Sequence, residues 1–224
     1  MVTLYEDNHL IAVCKNNSDL VQGDSTGDKT LADSVKEYIK ATYKKPGDVY
    51  LGITHRIDRP VSGVVLFTRT SKALSRMNKL FQEGKVDKTY LAIVKERPPE
   101  DEAEITHYLK KNEKQNKSYA HQNEVKGSKK ATLKYRIVSR TDRYYLLEID
   151  LMTGRHHQIR SQLSSIGCPI RGDLKYGYGR SNKDGGISLH AYKLCFIHPV
   201  KQEKVTIVAP LPEKDLWQLF ADHI

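Results

Sequence analysis

Val49-Tyr50-Leu51-Gly52-Ile53 and Val64-Val65-Leu66-Phe67-Thr68 are two apolar, β-prone runs, and between them lies the polar segment His55-Arg56-Ile57-Asp58-Arg59-Pro60-Val61-Ser62-Gly63. The runs read as strands, with Pro60 and Gly63 enforcing the turn that joins them. Asp58 is therefore a carboxylate among cationic side chains on a loop scaffolded at both ends. Taken alone, an Asp flanked by Arg56 and Arg59 reads as a local ion pair before it reads as a catalytic group.

Working outward, Leu10 to Cys14 reads as a strand. Leu31, Val35 and Ile39 mark the apolar face of a helix introduced by Thr30, with Asp33 three residues on. A second helix starts at Ser71, turns Leu74, Met77, Leu80 and Phe81 inward, and stops at Gly84. Lys88-Thr89-Tyr90 opens a further strand. Ala131 to Val138 and Tyr144 to Leu151 read as paired strands running into Thr153-Gly154-Arg155, and His156 to Ile166 reads as a helix stopped by Gly167. Strands follow at Leu189 to Phe196 and Lys204 to Val208, and the sequence from Leu216 to Phe220 reads as a short helix docked by Trp217. Regular βαβ alternation is missing, so this is an α+β fold built on antiparallel pairing.

A chain of 224 residues can bury one substantial core or two small lobes, and no strong linker divides it, so 1–224 reads by default as a single domain. The net charge of +10, from 37 Lys and Arg against 27 Asp and Glu, favours a polyanionic partner. Between Glu100 and Lys130 the chain is polar and lysine-rich, with Lys110, Lys111, Lys114, Lys117, Lys126, Lys129 and Lys130 accompanying Tyr108 and Tyr119. That stretch reads equally as a solvated hairpin or as an RNA contact. Cys14, Cys168 and Cys195 are scattered with no C-x-x-C spacing, which argues against a disulfide framework and fits a reducing cytoplasm. The amino terminus has no basic start followed by an apolar stretch, and no apolar run approaches membrane-spanning length.

The order of these segments carries a resemblance. His55-Arg56-Ile57-Asp58-Arg59-Pro60-Val61-Ser62-Gly63, Lys88-Thr89-Tyr90 and Thr153-Gly154-Arg155-His156-His157-Gln158-Ile159-Arg160, followed by Leu189-His190-Ala191, resemble the pseudouridine synthases of the ribosomal and transfer RNA type, the RluA-like family. Gly172-Asp173-Leu174-Lys175-Tyr176-Gly177 and Phe196-Ile197-His198-Pro199 support it, and the similarity covers nearly the whole chain. The resemblance implies a mixed, mostly antiparallel β-sheet with flanking helices and the active site in a central cleft. It also implies a catalytic domain without an amino-terminal S4 domain, so RNA contacts come from the catalytic domain itself.

It further implies the chemistry. Conversion of uridine to pseudouridine breaks the C1′–N1 bond, turns the base, joins C1′ to C5 and removes the C5 proton. The resemblance assigns the carboxylate to Asp58, which either attacks C1′ or removes the 2′ proton. A carboxylate buried beside an aromatic base needs a fixed cation, and Arg160, planar and always charged, is the candidate. Arg155 is left for phosphate. Tyr90 would stack on uracil and accept or relay the C5 proton. Leu189 or Ile159 would give the apolar wall, and Arg56 would fill the space left by the flipped-out uridine. His55, His156 and His157 orient the loop or touch RNA. None of these histidines has metal-ligand spacing, and no metal, nucleotide or other cofactor is expected. The expected partner is structured RNA, ribosomal or transfer, with no membrane and with a monomeric, cytoplasmic enzyme.

Two departures from the family pattern stand out. Val61 replaces the usual Thr, removing a hydroxyl from the loop, and Lys15-Asn16-Asn17-Ser18-Asp19-Leu20 replaces a Lys-Pro-x-Gly-Leu turn. Gly23-Asp24-Ser25-Thr26-Gly27-Asp28-Lys29-Thr30 nearly matches a phosphate-binding P-loop, but Asp28 stands at the second glycine position and would face phosphate with a like charge. Two rival functions are a non-catalytic RNA-binding module, which leaves Asp58, Tyr90 and Arg160 without joint purpose, and a nucleoside hydrolase, which would release free uracil and normally wants a second carboxylate.

Overall fold

The structure, a computed structural model, describes residues 1–23, 27–213 and 215–224. In chain order its elements are β1 (Val2–Glu6), β2 (Leu10–Lys15), α1 (Leu31–Thr42), β3 (Gly52–Ile53), β4 (Ser62–Thr68), α2 (Ser71–Gln82), β5 (Val86–Val94) and β6 (Glu102–Asn112). There follow β7 (Lys117–His121), β8 (Lys129–Arg140), β9 (Tyr145–Leu151), α3 (Gln158–Ser165), β10 (Leu189–Ile197) and β11 (Lys204–Val208), with 3-10 helices at Leu174–Tyr176 and Asp215–His223. The near-P-loop stretch runs through Asp24, Ser25 and Thr26, which lie outside the described residues. The fold is α+β and mostly antiparallel, and it divides into two compact units: residues 1–86 with 191–210, and residues 87–190 with 211–224.

In the first unit β4 is buried along its whole length, as its unbroken apolar run implies. Val64, Val65, Leu66 and Phe67 are fully buried, each worth about 1.5 to 3 kcal/mol relative to exposure. Its antiparallel register with β2 sets Leu10 opposite Thr68 and Lys15 opposite Gly63. That register brings the last residue of β2 to the mouth of the Asp58 loop. The strand expected from Val49 is shorter, only Gly52–Ile53, because it pairs just with Thr68 and Phe67. β1 is a further strand at the amino terminus. It pairs with β2 across a bulge between Thr3 and Tyr5, which interrupts the alternation.

Both early helices begin where their caps dictate. Thr30 Oγ1 accepts from the Asp33 amide while Asp33 Oδ2 accepts from the Thr30 amide, a reciprocal capping box. α2 starts after Thr70, whose hydroxyl accepts from the Ala73 amide, and ends before Gly84 at φ +67°. Its deepest residues are Ala73 and Met77, while Leu74, Leu80 and Phe81 are only half-buried. Later in the unit His198 is fully buried, its Nδ1 accepting from the amides of Val200 and Lys201 and its Nε2 lying 3.0 Å from Asp7 Oδ2. This ties the turn after β10 to the turn between β1 and β2.

Gly63 shows why the turn needs glycine. Its φ is +117°, and an added Cβ would sit 2.6 Å from the Ala191 nitrogen, inside contact distance. Strain and overlap act together, so Gly63→Ala is expected to cost at least about 3 kcal/mol. A urea-unfolding midpoint close to wild type would show that the backbone can relax there.

The second unit pairs β5 with β9, β9 with β8, β8 with β6 and β6 with β7, all antiparallel. The lysine-rich stretch is thus a hairpin continuing the sheet. Gln162 of α3 donates to the carbonyls of Ile105 and Ala131, holding that helix to β6 and β8. The carboxy-terminal segment is 3-10 rather than α-helical. It buries Trp217 and Phe220, with the Trp217 ring 5.7 Å from that of His190. No helix among the described residues is long and apolar enough to cross a membrane.

Candidate active site

In the first unit the Asp58 loop is built around a buried ammonium. Lys15 is 0 % exposed, and its Nζ donates to the carbonyls of Asn16 (2.8 Å), Arg59 (2.8 Å) and Val61 (2.7 Å). Three N–H bonds match three acceptors, two of which follow Asp58 directly in its turn. The Val61 amide closes the turn by donating to the Asp58 carbonyl, 3.0 Å. Burial pulls the Lys15 pKa down to about 8, opposed by the negative charges of Asp19 and Asp58.

The neighbouring side chains divide their tasks. Arg59 turns to the Ser18 carbonyl and to Asp28, 3.1 Å each, so it anchors the base of the loop. Arg56 is exposed, Asp58 is half-buried and Ile57 is buried. His55 Nε2 accepts from the Leu66 amide at 3.0 Å and its ring stacks on Phe81 at 5.2 Å. Thr54 Oγ1 donates to the Leu66 carbonyl on the same strand. Of the two roles open to His55, these contacts supply the orienting one.

In the second unit Tyr90 is a half-buried residue of β5, level with Ile149 on β9. Lys88 lies on the same face two residues earlier. Burial and the adjacent Arg155 charge both lower the Lys88 pKa, so two cations converge there. An added Cβ on Gly154 would lie 3.5 Å from Lys88 Nζ, which puts the Thr-Gly-Arg turn against this strand. Arg155 is exposed, with Nε donating to the Lys130 carbonyl. Ile159 and Leu189 are buried.

The turn itself is knotted by Gln158. Its Oε1 accepts from Thr153 Oγ1 (2.8 Å) and from the Arg155 amide (3.0 Å), and its Nε2 donates to the Thr132 carbonyl. This explains why α3 begins at Gln158 and not at His156 as the periodicity suggests: His157 is held in the left-handed region at φ +51°. His156 and His157 stack 3.8 Å apart and are tied to Ser118 Oγ and to the Tyr176 hydroxyl. Burial first, then the Arg160 charge, hold His157 far below the usual imidazole range, so it is neutral. The Tyr176 hydroxyl accepts from the Ser118 amide and is left to donate to His157 Nδ1.

Arg160 has a partner that sequence reasoning missed. Its Nε and Nη2 donate to Asp173 Oδ2 (2.7 Å) and Oδ1 (2.9 Å), a two-pronged pair with Arg160 5 % and Asp173 1 % exposed. The guanidinium also lies 5.0 Å over the Tyr176 ring. The planar fork is thereby fixed in direction. Removing the acid leaves a buried charge uncompensated, so Asp173→Ala is expected to destabilise the protein by about 3 to 5 kcal/mol. A thermal midpoint that matched wild type would refute this role.

Residues 9–165 match the family model of RNA pseudouridylate synthase. The chain belongs to that family. The synthase is 30% identical to tRNA pseudouridine synthase C of Vibrio cholerae, over 96% of this chain and 92% of that one. It is 33% identical to ribosomal large subunit pseudouridine synthase C of Buchnera aphidicola, over 93% of this chain and 66% of that one. Its fold superposes on human RNA pseudouridylate synthase domain containing 4 with a TM-score of 0.78 at 21% identity, covering 99% and 90% of the two chains. The synthase is thus an isomerase. Lys15 and Asp173 were hidden in the sequence for different reasons. Lys15 closes an apolar strand as an ordinary boundary residue would, and Asp173 lies in a turn-like Gly-Asp-Leu-Lys stretch whose partner is thirteen positions away.

Proposed function

We propose that this synthase converts uridines of structured RNA, ribosomal or transfer, to pseudouridine, using the Asp58 carboxylate on a flipped-out nucleotide. The observation that carries the reading is the Lys15 cage. A fully buried ammonium is spent on the carbonyls of Arg59 and Val61, one and three residues after Asp58 in the same turn, an arrangement suited to presenting one carboxylate in a fixed place. In the reaction the C1′–N1 bond breaks, with Asp58 attacking C1′ or taking the 2′ proton. The base turns, C1′ joins C5, the C5 proton leaves and N1 is protonated. Atoms balance without oxidant, reductant or nucleotide, and we read the enzyme as a cofactor-independent, cytoplasmic monomer.

Tyr90 holds the uracil ring through its turn, since an aromatic face grips a base in either orientation. Arg160 serves as the fixed positive counter-charge, aimed by Asp173, and Ile159 and Leu189 form the apolar wall. Lys88 joins Arg155 as the pair that binds a phosphate, because their shared positive charge costs least when an anion lies between them. Arg56, exposed on the loop, fills the gap in the RNA stack. Unstacking costs a few kcal/mol, which an inserted planar guanidinium recovers in part.

The test is carbodiimide mapping of pseudouridine in total RNA from cells with and without the gene, complemented by wild type or Asp58→Asn. A mark lost on deletion and restored only by wild type is the expected result and identifies the target uridine. RNA unchanged by deletion, together with no product from purified enzyme on ribosomal and transfer RNA transcripts, would reject the reading.

A further inference from the structure

The sheet of the second unit has one face whose chemistry changes along its strands. On this face Arg136 stands between Glu102 and Glu148, bonding the latter at 2.9 Å. Two residues along, Lys134 stands between Glu104 and Asp150. In the next rung Thr106 and Thr132 share a hydrogen bond. The first two rungs each set two acids around one cation, and the third is uncharged. Beyond them the acids stop: Tyr108 is flanked by Lys130 and His121, and Lys110 faces Tyr119.

The aromatic groups on these last two rungs both reach solvent, Tyr119 more than Tyr108. Tyr119 is 41 % exposed, Tyr108 is half-buried, and Lys110 and Lys130 are exposed. The two tyrosines are diagonal neighbours on adjacent strands, roughly 7 Å apart. The Tyr119 ring is held at its hydroxyl, which donates to Gln115 at 2.6 Å, and on one face by Lys117 Nζ, which lies over the ring 5.4 Å from its centroid. Tyr90, level with Ile149 and Tyr135, belongs to the opposite face.

Exposed aromatic rings interleaved with unbalanced lysines on a sheet present stacking surfaces for bases and counter-charges for phosphates together. An acidic peptide would use the lysines and leave the rings idle, whereas a single-stranded nucleic acid uses both. We propose that Tyr108, Tyr119, Lys110 and Lys130 form a second RNA platform, on the face away from Tyr90, that binds an unpaired stretch of the substrate RNA. The proposal rests on the RNA-modifying reading for the identity of that RNA. Its role is to add affinity outside the reacting pocket, so it alters binding and leaves the chemical step alone.

Fluorescence anisotropy of a fluorescein-labelled single-stranded oligouridine, titrated with wild type, Tyr119→Ala, Tyr119→Phe and the double variant Lys110→Glu/Lys130→Glu, tests it. Tyr119→Ala is expected to weaken binding about tenfold, and Tyr119→Phe to stay within about twofold because the ring remains. The lysine variant should bind at least about tenfold more weakly, with a salt dependence shallower by more than about one in log–log slope. Unchanged affinity in both Tyr119→Ala and the lysine variant overturns the platform, and so does a Phe variant as weak as the Ala variant. Pseudouridine formation by the same proteins separates the two readings. Wild type that loses oligouridine affinity on these substitutions but makes no pseudouridine in any transcript keeps the platform and rejects the enzyme. Equal product and equal affinity in all four keeps the enzyme and rejects the platform.

Discussion

Asp58→Asn is expected to abolish turnover while leaving fold and RNA affinity intact. The amide matches the carboxylate in shape, and the turn is closed by backbone groups, the Val61 amide on the Asp58 carbonyl, which the substitution does not touch. What is lost is the negative charge that either route requires, as nucleophile at C1′ or base at the 2′ hydroxyl. Removing one member of a catalytic unit costs on the order of four or more powers of ten in rate. Release of tritium from C5 of labelled transcript measures it directly, and turnover within about tenfold of wild type would remove Asp58 from the mechanism. Binding lost along with turnover would instead assign Asp58 to RNA docking.

Lys15→Met has the second largest expected effect, and it acts through the same loop. Methionine fills similar volume but donates nothing, so the carbonyls of Asn16, Arg59 and Val61 lose their partner together. Leaving buried acceptors unpaired costs about 1 to 3 kcal/mol each, partly recovered where water can enter, so a loss of about 2 to 4 kcal/mol is expected. Turnover should fall more than RNA affinity, because the displaced group is the turn that carries Asp58. Equal kcat with raised KM would show that the loop does not need this anchor.

The pH dependence of this variant has a definite sign. Burial lowers the folded-state pKa of Lys15 to about 8, below its ordinary 10.5. Between these values the unfolded chain holds the proton and the folded chain releases it, so rising pH favours the folded state through this group. The stability gap between wild type and Lys15→Met is therefore expected to widen above pH 8, by about 3 kcal/mol when the upper value is passed. Turnover should move the other way, because the neutral amine no longer sets a positive charge beside the Asp58 turn. Urea unfolding and single-turnover rates across pH 7 to about 10.5 check both limbs. A gap that narrows would mean that Lys15 keeps its proton.

Much of the chain was legible because its local signals agree. The Thr30 and Asp33 capping box, the Ser71 start and Gly84 stop of α2, the buried run of β4 and the final strand from Lys204 to Val208 all fall where local pattern puts them. Legibility failed where long-range bonds override local pattern. Val49 to Leu51 has strand composition but pairs with no strand among the described residues, and the His156-His157 step is taken out of the helix by the Gln158 knot. The buried face of α2 went to Ala73 rather than Leu74 for a similar reason: which side of an amphipathic stripe is deepest depends on what lies beneath it.

The sequence by itself determined the α+β class, the family motifs and their order, and the expectation of an anionic partner, because these rest on residue type, spacing and charge. The tertiary structure alone decided which cations are structural. Lys15 and Lys110 look alike in sequence, yet one is sealed against three carbonyls and the other stands in water beside an exposed ring. It likewise decided that Arg160 answers to Asp173 and that Arg59 answers to Asp28. A charged side chain is a few atoms on a flexible stem, and its function follows from what the fold brings within about 3 Å of its tip, which no local pattern encodes.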